Sequence, residues 1–241
     1  MNGNRREEIA AGLRGVRERI AAACAGAGRD ASGVTLVAVT KTYPASDVGH
    51  LAALGVTDVG ENRDQEAAGK AAEVAAAGVA VRWHFVGQLQ RNKAKSVVRY
   101  ADVVHSVDGV RLAGALSEAA RRHRERPLDV LVQVSLDSDP GRGGAVDAAG
   151  DEDIALERVL ESVARAEPLS LRGLMAVAPL GWEPERAFTA LAELRAKVRA
   201  IYPEATELSA GMSGDYVLAI RYGATLVRIG SALLGNRPTL M

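Results

Sequence analysis

The stretch VTLVAVTK (34–41) decides the architecture of this 241-residue chain. Val34, Leu36, Val37, Ala38 and Val39 leave almost no polar face, the pattern of a strand covered on both sides, and such strands belong to parallel sheets layered with helices. The pattern returns seven times: VTDVGEN (56–62), VRWHFVG (81–87), ADVVHSV (101–107), LDVLVQVSL (128–136), LSLRGLMAVA (169–178), ATELSAG (205–211) and ATLVRIG (224–230). Each run is trailed by an Ala-, Glu- and Arg-rich segment of helical spacing, so the chain is expected to form a single α/β domain, a (β/α)8 TIM barrel. An extra N-terminal helix is expected over 6–23, where Ile9, Leu13, Val16 and Ile20 recur three or four apart. The competing architecture is an open doubly wound sheet, which normally carries a Gly-rich phosphate turn after its first strand. The turn here, KTYPASD, has no G-x-G-x-x-G. The Gly- and Asp-dense segment 139–153 is expected to be a mobile loop after the fifth strand.

Composition narrows the partners. Thirty basic residues balance thirty acidic ones and 48% of the chain is hydrophobic. Zero net charge lacks the broad electrostatic footprint of a nucleic-acid or acidic-membrane binder, so a small-molecule ligand is expected. One cysteine, Cys24, makes a disulfide framework within a monomer impossible; on its Ala-rich helix it reads as a small buried hydrophobe. No run approaches the roughly 18 apolar residues of a spanning helix, and MNGNRREEIAAGL has no signal-peptide core, so a cytoplasmic monomer is expected.

In a barrel the chemistry gathers at the C-terminal ends of the strands. The first run closes on Lys41, which alternation places on the face of Val37 and Val39, opposite Thr40. With the valine face inward the lysine stands at the barrel mouth, where partial desolvation favours the neutral amine that forms a Schiff base with a carbonyl. The bland reading is a solvated strand-end lysine. After the seventh run, Ser209, Gly211, Ser213 and Gly214 crowd the entry to a helix, and Gly230 and Ser231 open another after the eighth. Small residues and serine hydroxyls at such turns suit a phosphate, though they also serve as ordinary caps. Arg228, flanked by Leu226, Val227 and Ile229, must bring its charge to water or to a partner, either outward between helices or beside the phosphate turn.

A phosphate anchor, a Schiff-base lysine and an arginine between them describe a pocket for pyridoxal 5'-phosphate (PLP). The motifs VAVTKTYP, VGENRDQE, WHFVGQLQRNK, LRGLMAV, LSAGMSGD and VRIGSALLG, in that order, resemble the pyridoxal-phosphate homeostasis protein family, which is similar to the N-terminal barrel domain of alanine racemases. The resemblance implies that Lys41 forms the internal aldimine, that Ser209, Gly230 and Ser231 contact the phosphate, that Arg228 faces the pyridine nitrogen and that Asn62 lies beside the cofactor. Two positions depart from the family pattern: Arg63 stands where an aromatic is common, and PGRGG, with Arg142, replaces a Lys-x-Gly.

The resemblance implies a protein that binds and delivers PLP, or another B6 vitamer, to client enzymes without a committed reaction. Arginine is a poor proton donor to the ring nitrogen, which weakens the ring as an electron sink. The eleven residues after Gly230 are also too few for the β domain that carries the second acid/base of a racemase. Two alternatives stay open: a racemase-like enzyme working from the barrel alone, and a class I aldolase-type lyase in which Lys41 attacks a phosphosugar. The remaining polar motifs keep plainer readings. RRHRERP (121–127) is a basic last turn complementing a helix dipole, and QRNKAK (90–95) opens a helix near the mouth, where it could attract anionic vitamers or a client enzyme. His84 and His105, without a second ligand at metal spacing, read as hydrogen-bonded core or strand-end residues.

Overall fold

Eight short strands pair in chain order, all parallel where their register is defined, into a closed barrel: β1 (Thr35–Val39), β2 (Asp58–Glu61), β3 (Arg82–Phe85), β4 (Val103–Val107), β5 (Leu128–Gln133), β6 (Leu169–Met175), β7 (Glu207–Ser209) and β8 (Leu226–Ile229). The computed structural model describes residues 2–139, 142–147 and 150–235. Helices α1 (Asn2–Gly26), α2 (Ala45–Ala53), α3 (Asp64–Ala76), α4 (Ala94–Val97), α5 (Val110–His123), α6 (Leu156–Ala164), α7 (Pro184–Ile201), α8 (Tyr216–Arg221) and α9 (Ser231–Leu234) alternate with the strands, α1 preceding them all. Every expected strand is present but shorter than its apolar run, because the run also covers the turn that leaves the sheet. QRNKAK opens as a 3-10 turn, Arg91–Lys93, before the single α turn of α4. Of the expected 139–153 loop, Pro140, Gly141, Ala148 and Ala149 lie outside the described residues; the described part makes isolated bridges, Val134 with Ala145 and Val146 with Ala155.

The chain packs as two units. The first runs from the N-terminal helix to Trp83 and resumes at Ala210. Here α1 buries Ile9, Leu13, Val16, Ile20 and Cys24, the stripe read from spacing, each large aliphatic contributing about 2 kcal/mol. Arg5 reaches from α1 to the buried Asp47 of α2 at 2.6 Å. Strands β1 and β8 pair with Val37 opposite Arg228 and Ala38 opposite Ile229.

The second unit is His84–Ser209. Its strand β4 is buried throughout, and Val103, Leu131 and Met175 form a core cluster across β4, β5 and β6. The register of β5 with β6 steps past Arg172, a bulge that turns this arginine out toward Asp129 and Glu207. Helix α5 ends in Arg121, Arg122 and His123, the expected basic last turn. Among the described residues no helix is long and apolar enough to cross a membrane.

Candidate functional site

Strand β1 presents two chemically different faces. Thr40, just past its end, is fully buried and donates from Oγ1 to Glu61 Oε1 at 2.7 Å, on the side covered by α3. Val37 and Val39 take the other face, where Gly60 of β2 lies so close that a Cβ on it would be 3.1 Å from Val37 Cγ1. Lys41 follows, half-buried in the turn that leaves β1. Thr42 follows with φ +70°, a left-handed setting unusual for a β-branched residue. Its N–H donates to Glu66 Oε1 at 2.5 Å. Lys70, one turn further along α3, donates to the Thr40 carbonyl at 2.7 Å, to Glu61 Oε1 at 2.5 Å and to Glu66 Oε1 at 3.1 Å. Burial holds the Glu61 carboxyl above its ordinary range, outweighing the Lys70 ammonium and the Thr40 hydroxyl, which pull it down. Asn62, half-buried, and the exposed Arg63 occupy the turn from β2 into α3.

On the other side of β1, Arg228 is 5% exposed in the middle of β8. Burial lowers its pKa to about 10, opposed by the charge of Asp215, so the guanidinium remains cationic at neutral pH. The outward, snorkelling alternative does not hold. The backbone N–H of Arg228 donates to the carbonyl of Gly211, where φ is +90° and a Cβ would come within 2.7 Å of Tyr216 Cα, so only glycine makes this turn. Asp215 Oδ1 accepts from Met212 N and closes the loop into α8. Gly230 packs against the end of β1, where a Cβ would lie 3.3 Å from the Val39 carbonyl, and Ala232 N donates to Ser213 Oγ at 3.4 Å. Lys41, Asn62, Arg228, Gly230 and Ser231 therefore share the C-terminal ends of the adjacent strands β2, β1 and β8.

Ser209 ends β7 in the second unit and is fully buried. Its Oγ lies 2.8 Å from His105 Nδ1, and His105 Nε2 lies 2.8 Å from His84 Nδ1. Strands β3, β4 and β7 are not all neighbours, so these side chains meet inside the barrel. The histidines are hydrogen-bonded core residues, as read from the sequence, and among the described residues no three His, Cys, Asp or Glu form a metal-binding group. Their pairing with each other and with Ser209 was not legible, because it links residues 21 and 104 positions apart. Glu66 and Lys70 carried a signal, the i,i+4 Glu–Lys pair, but that pattern ordinarily marks a solvated helix face. Arg142 donates to the Val177 and Ala178 carbonyls, which ties the segment after β5 to the one after β6.

A cavity of about 930 Å3 opens in the second unit, lined by Gln88, Arg91, Asp108, Gly143 and Asp153 among others. It shares no residue with the six expected site residues. Side-chain chemistry and burial, rather than volume, single out the cluster around Lys41 and Arg228.

Residues 16–238 match the family model of the alanine racemase N-terminal domain. A pyridoxal phosphate homeostasis protein of Mycobacterium leprae is 44% identical over 248 residues, covering 98% of this chain and 95% of the relative. The structure of PipY from Synechococcus elongatus with PLP bound is 34% identical with a TM-score of 0.75, covering 91% of this chain and all of that one. An alanine racemase from Corynebacterium glutamicum shares the fold, with 20% identity and a TM-score of 0.65 over 95% of this chain and 63% of the racemase. The lysine-headed barrel described above thus belongs to the pyridoxal phosphate homeostasis protein family, built on the alanine racemase N-terminal domain.

Proposed function

We propose that this protein holds PLP at Lys41 and serves intracellular B6 homeostasis as a carrier, without a committed reaction of its own. The observation that carries the reading is that β1, which leads into Lys41, pairs with β8, where Arg228 lies opposite Val37 as a buried guanidinium that stays charged. The donor set fits the cofactor. Hydroxyls and glycine turns at Ser213, Gly230 and Ser231 suit a phosphate, and the buried Tyr216 hydroxyl has no partner within the described residues. When bound, the cofactor supplies an aldehyde and an electron-accepting ring.

Each residue then has a defined task. Lys41 offers the attaching amine, Gly230 and Ser231 bind phosphate, and Ser209 adds a hydroxyl to it. Asn62 borders the ring. Arg228 would face the ring nitrogen and, as a poor proton donor, would leave that nitrogen unprotonated, which would restrain carbanion chemistry and favour holding over turnover. The protein is a cytoplasmic monomer of one domain in this reading; its zero net charge and the buried, unbridged Cys24 are in keeping with that. Client enzymes that depend on PLP are the expected recipients.

The test is an absorption spectrum of the PLP-loaded protein, then borohydride reduction and peptide mapping. The reduced cofactor is expected on Lys41 and absent from Lys41→Ala. Attachment at another lysine overturns the assignment, and a colourless protein that cannot be reconstituted favours the aldolase-type reading. Hydrogen exchange at the α-carbon across a panel of amino acids is expected to be absent; its appearance would establish a racemase-like enzyme.

A further inference from the structure

We propose that Glu66 and Lys70 are positioning residues for Lys41, gripping the backbone on either side of it from α3 and so presenting its amine on a turn held in a left-handed conformation. The inference rests on the reading of Lys41 as the attachment point. Lys70 Nζ holds the carbonyl of the residue before it, Thr40, at 2.7 Å, and Glu66 Oε1 holds the N–H of the residue after it, Thr42, at 2.5 Å. The two grips are joined to each other by the 3.1 Å contact of Lys70 Nζ with Glu66 Oε1. They are anchored to β2 by Glu61 Oε1, which accepts from both Lys70 Nζ and Thr40 Oγ1.

The turn needs such restraint. A threonine at φ +70° is strained, and the strain persists only where the surroundings over-determine it. Glycine, the residue that adopts this conformation freely, is not used here. A Glu–Lys pair four residues apart, as Glu66 and Lys70 are, ordinarily lies in solvent, yet the Lys70 side chain is 6% exposed and pairs also with Glu61 of β2, which is 1% exposed. Buried charges persist where they are paired and hydrogen-bonded, and three of the bonds of this cluster are spent on the two residues that flank Lys41.

Glu66 is the residue to change, because its side chain is 28% exposed and its loss leaves the buried Lys70–Glu61 pair intact. Two ligands are titrated: PLP, followed by the visible band of the attached cofactor, and pyridoxine 5'-phosphate, whose alcohol cannot attach to an amine, followed by calorimetry. Losing one charge-assisted bond on a strained turn is expected to lower PLP affinity of Glu66→Ala about tenfold, with pyridoxine 5'-phosphate unchanged. Glu66→Gln, which keeps an acceptor for Thr42 N–H, is expected to stay within about threefold of wild type. Adding Thr42→Gly to Glu66→Ala is expected to restore most of the PLP affinity, since glycine takes the turn without restraint, while thermal stability stays low.

Equal losses for both ligands, unchanged PLP affinity in Glu66→Ala, or no recovery on adding Thr42→Gly would each overturn the positioning role. Thr42→Gly alone gives an arm independent of whether Glu66→Ala folds: attachment is expected within about twofold of wild type, and a tenfold loss there would also overturn it. A wild-type protein that takes neither ligand would instead overturn the reading of the site itself, together with this inference.

Discussion

Replacing Arg228 by methionine tests whether this buried cation serves a ligand or the fold. The guanidinium sits 5% exposed in β8, and burial lowers its pKa from the ordinary arginine value to about 10, with Asp215 opposing the fall. At ~1.4 kcal/mol per tenfold change, keeping the charge buried costs the ligand-free protein on the order of 3 kcal/mol. The sign with pH follows. The folded state holds this proton less tightly than the unfolded chain, so the penalty is present in full below pH 10 and is relieved only as pH rises from about 10 towards the ordinary arginine value. Across the neutral range the penalty is constant, and about one molecule in a thousand is uncharged at pH 7.

Methionine matches the volume without the charge. Arg228→Met is therefore expected to stabilise the ligand-free protein by about 1–3 kcal/mol, after the loss of the side chain's own bonds, and to raise its Tm by roughly 2–8 °C. The same change is expected to weaken PLP at least about tenfold, since a charged partner is lost from the site. Urea denaturation at neutral pH without ligand reads the first effect and a visible titration reads the second. Should Arg228→Met lose more than about 2 kcal/mol of stability and bind PLP as before, the residue belongs to the fold and the reasoning fails.

Two other outcomes follow from buried polar groups. If Ser209 donates to a phosphate, His105 must carry its proton on Nδ1 and accept at Nε2 from His84, so His105→Phe should weaken PLP about tenfold and leave pyridoxal unchanged, while His105→Asn keeps a donor there; equal effects on both vitamers would remove the relay. Because burial raises the Glu61 pKa in the folded state, its contribution to stability is complete below the ordinary glutamate value and drains as pH rises through the raised one. Glu61→Gln should remove the part of the stability curve that falls as pH rises above the ordinary glutamate value; a wild-type curve that instead loses stability on acidification, through this residue, would show that Lys70 dominates.

The positions of most candidate residues were legible in the sequence. Lys41, Arg228, Gly230 and Ser231 each close or follow an apolar run, and a barrel makes the ends of its strands the functional rim, so locating the runs located the candidates. The burial of Arg228 was not legible, because a charged residue among aliphatics is compatible with either face of a strand until its neighbours are known. Glu66 and Lys70 were concealed by their own regularity, an i,i+4 pair on an Ala-rich helix that reads as solvated and is in fact packed under the turn after β1. Arg142 was unassigned because its partners, the Val177 and Ala178 carbonyls, lie 35 and 36 residues away.

The run VTLVAVTK, repeated in kind seven times, determined by itself that strands and helices alternate and that a lysine ends the first strand, because hydrophobic period and strand length are local properties of a chain. Which buried groups meet is a property of closure. Only when β8 returns to pair with β1 does Arg228 come opposite Val37, and only inside the barrel do His84, His105 and Ser209 touch. The turn after Lys41 reads in sequence as an ordinary exit from a strand; its left-handed Thr42 is held by two ionic grips from helix residues 24 and 30 positions further along, and no local propensity encodes them.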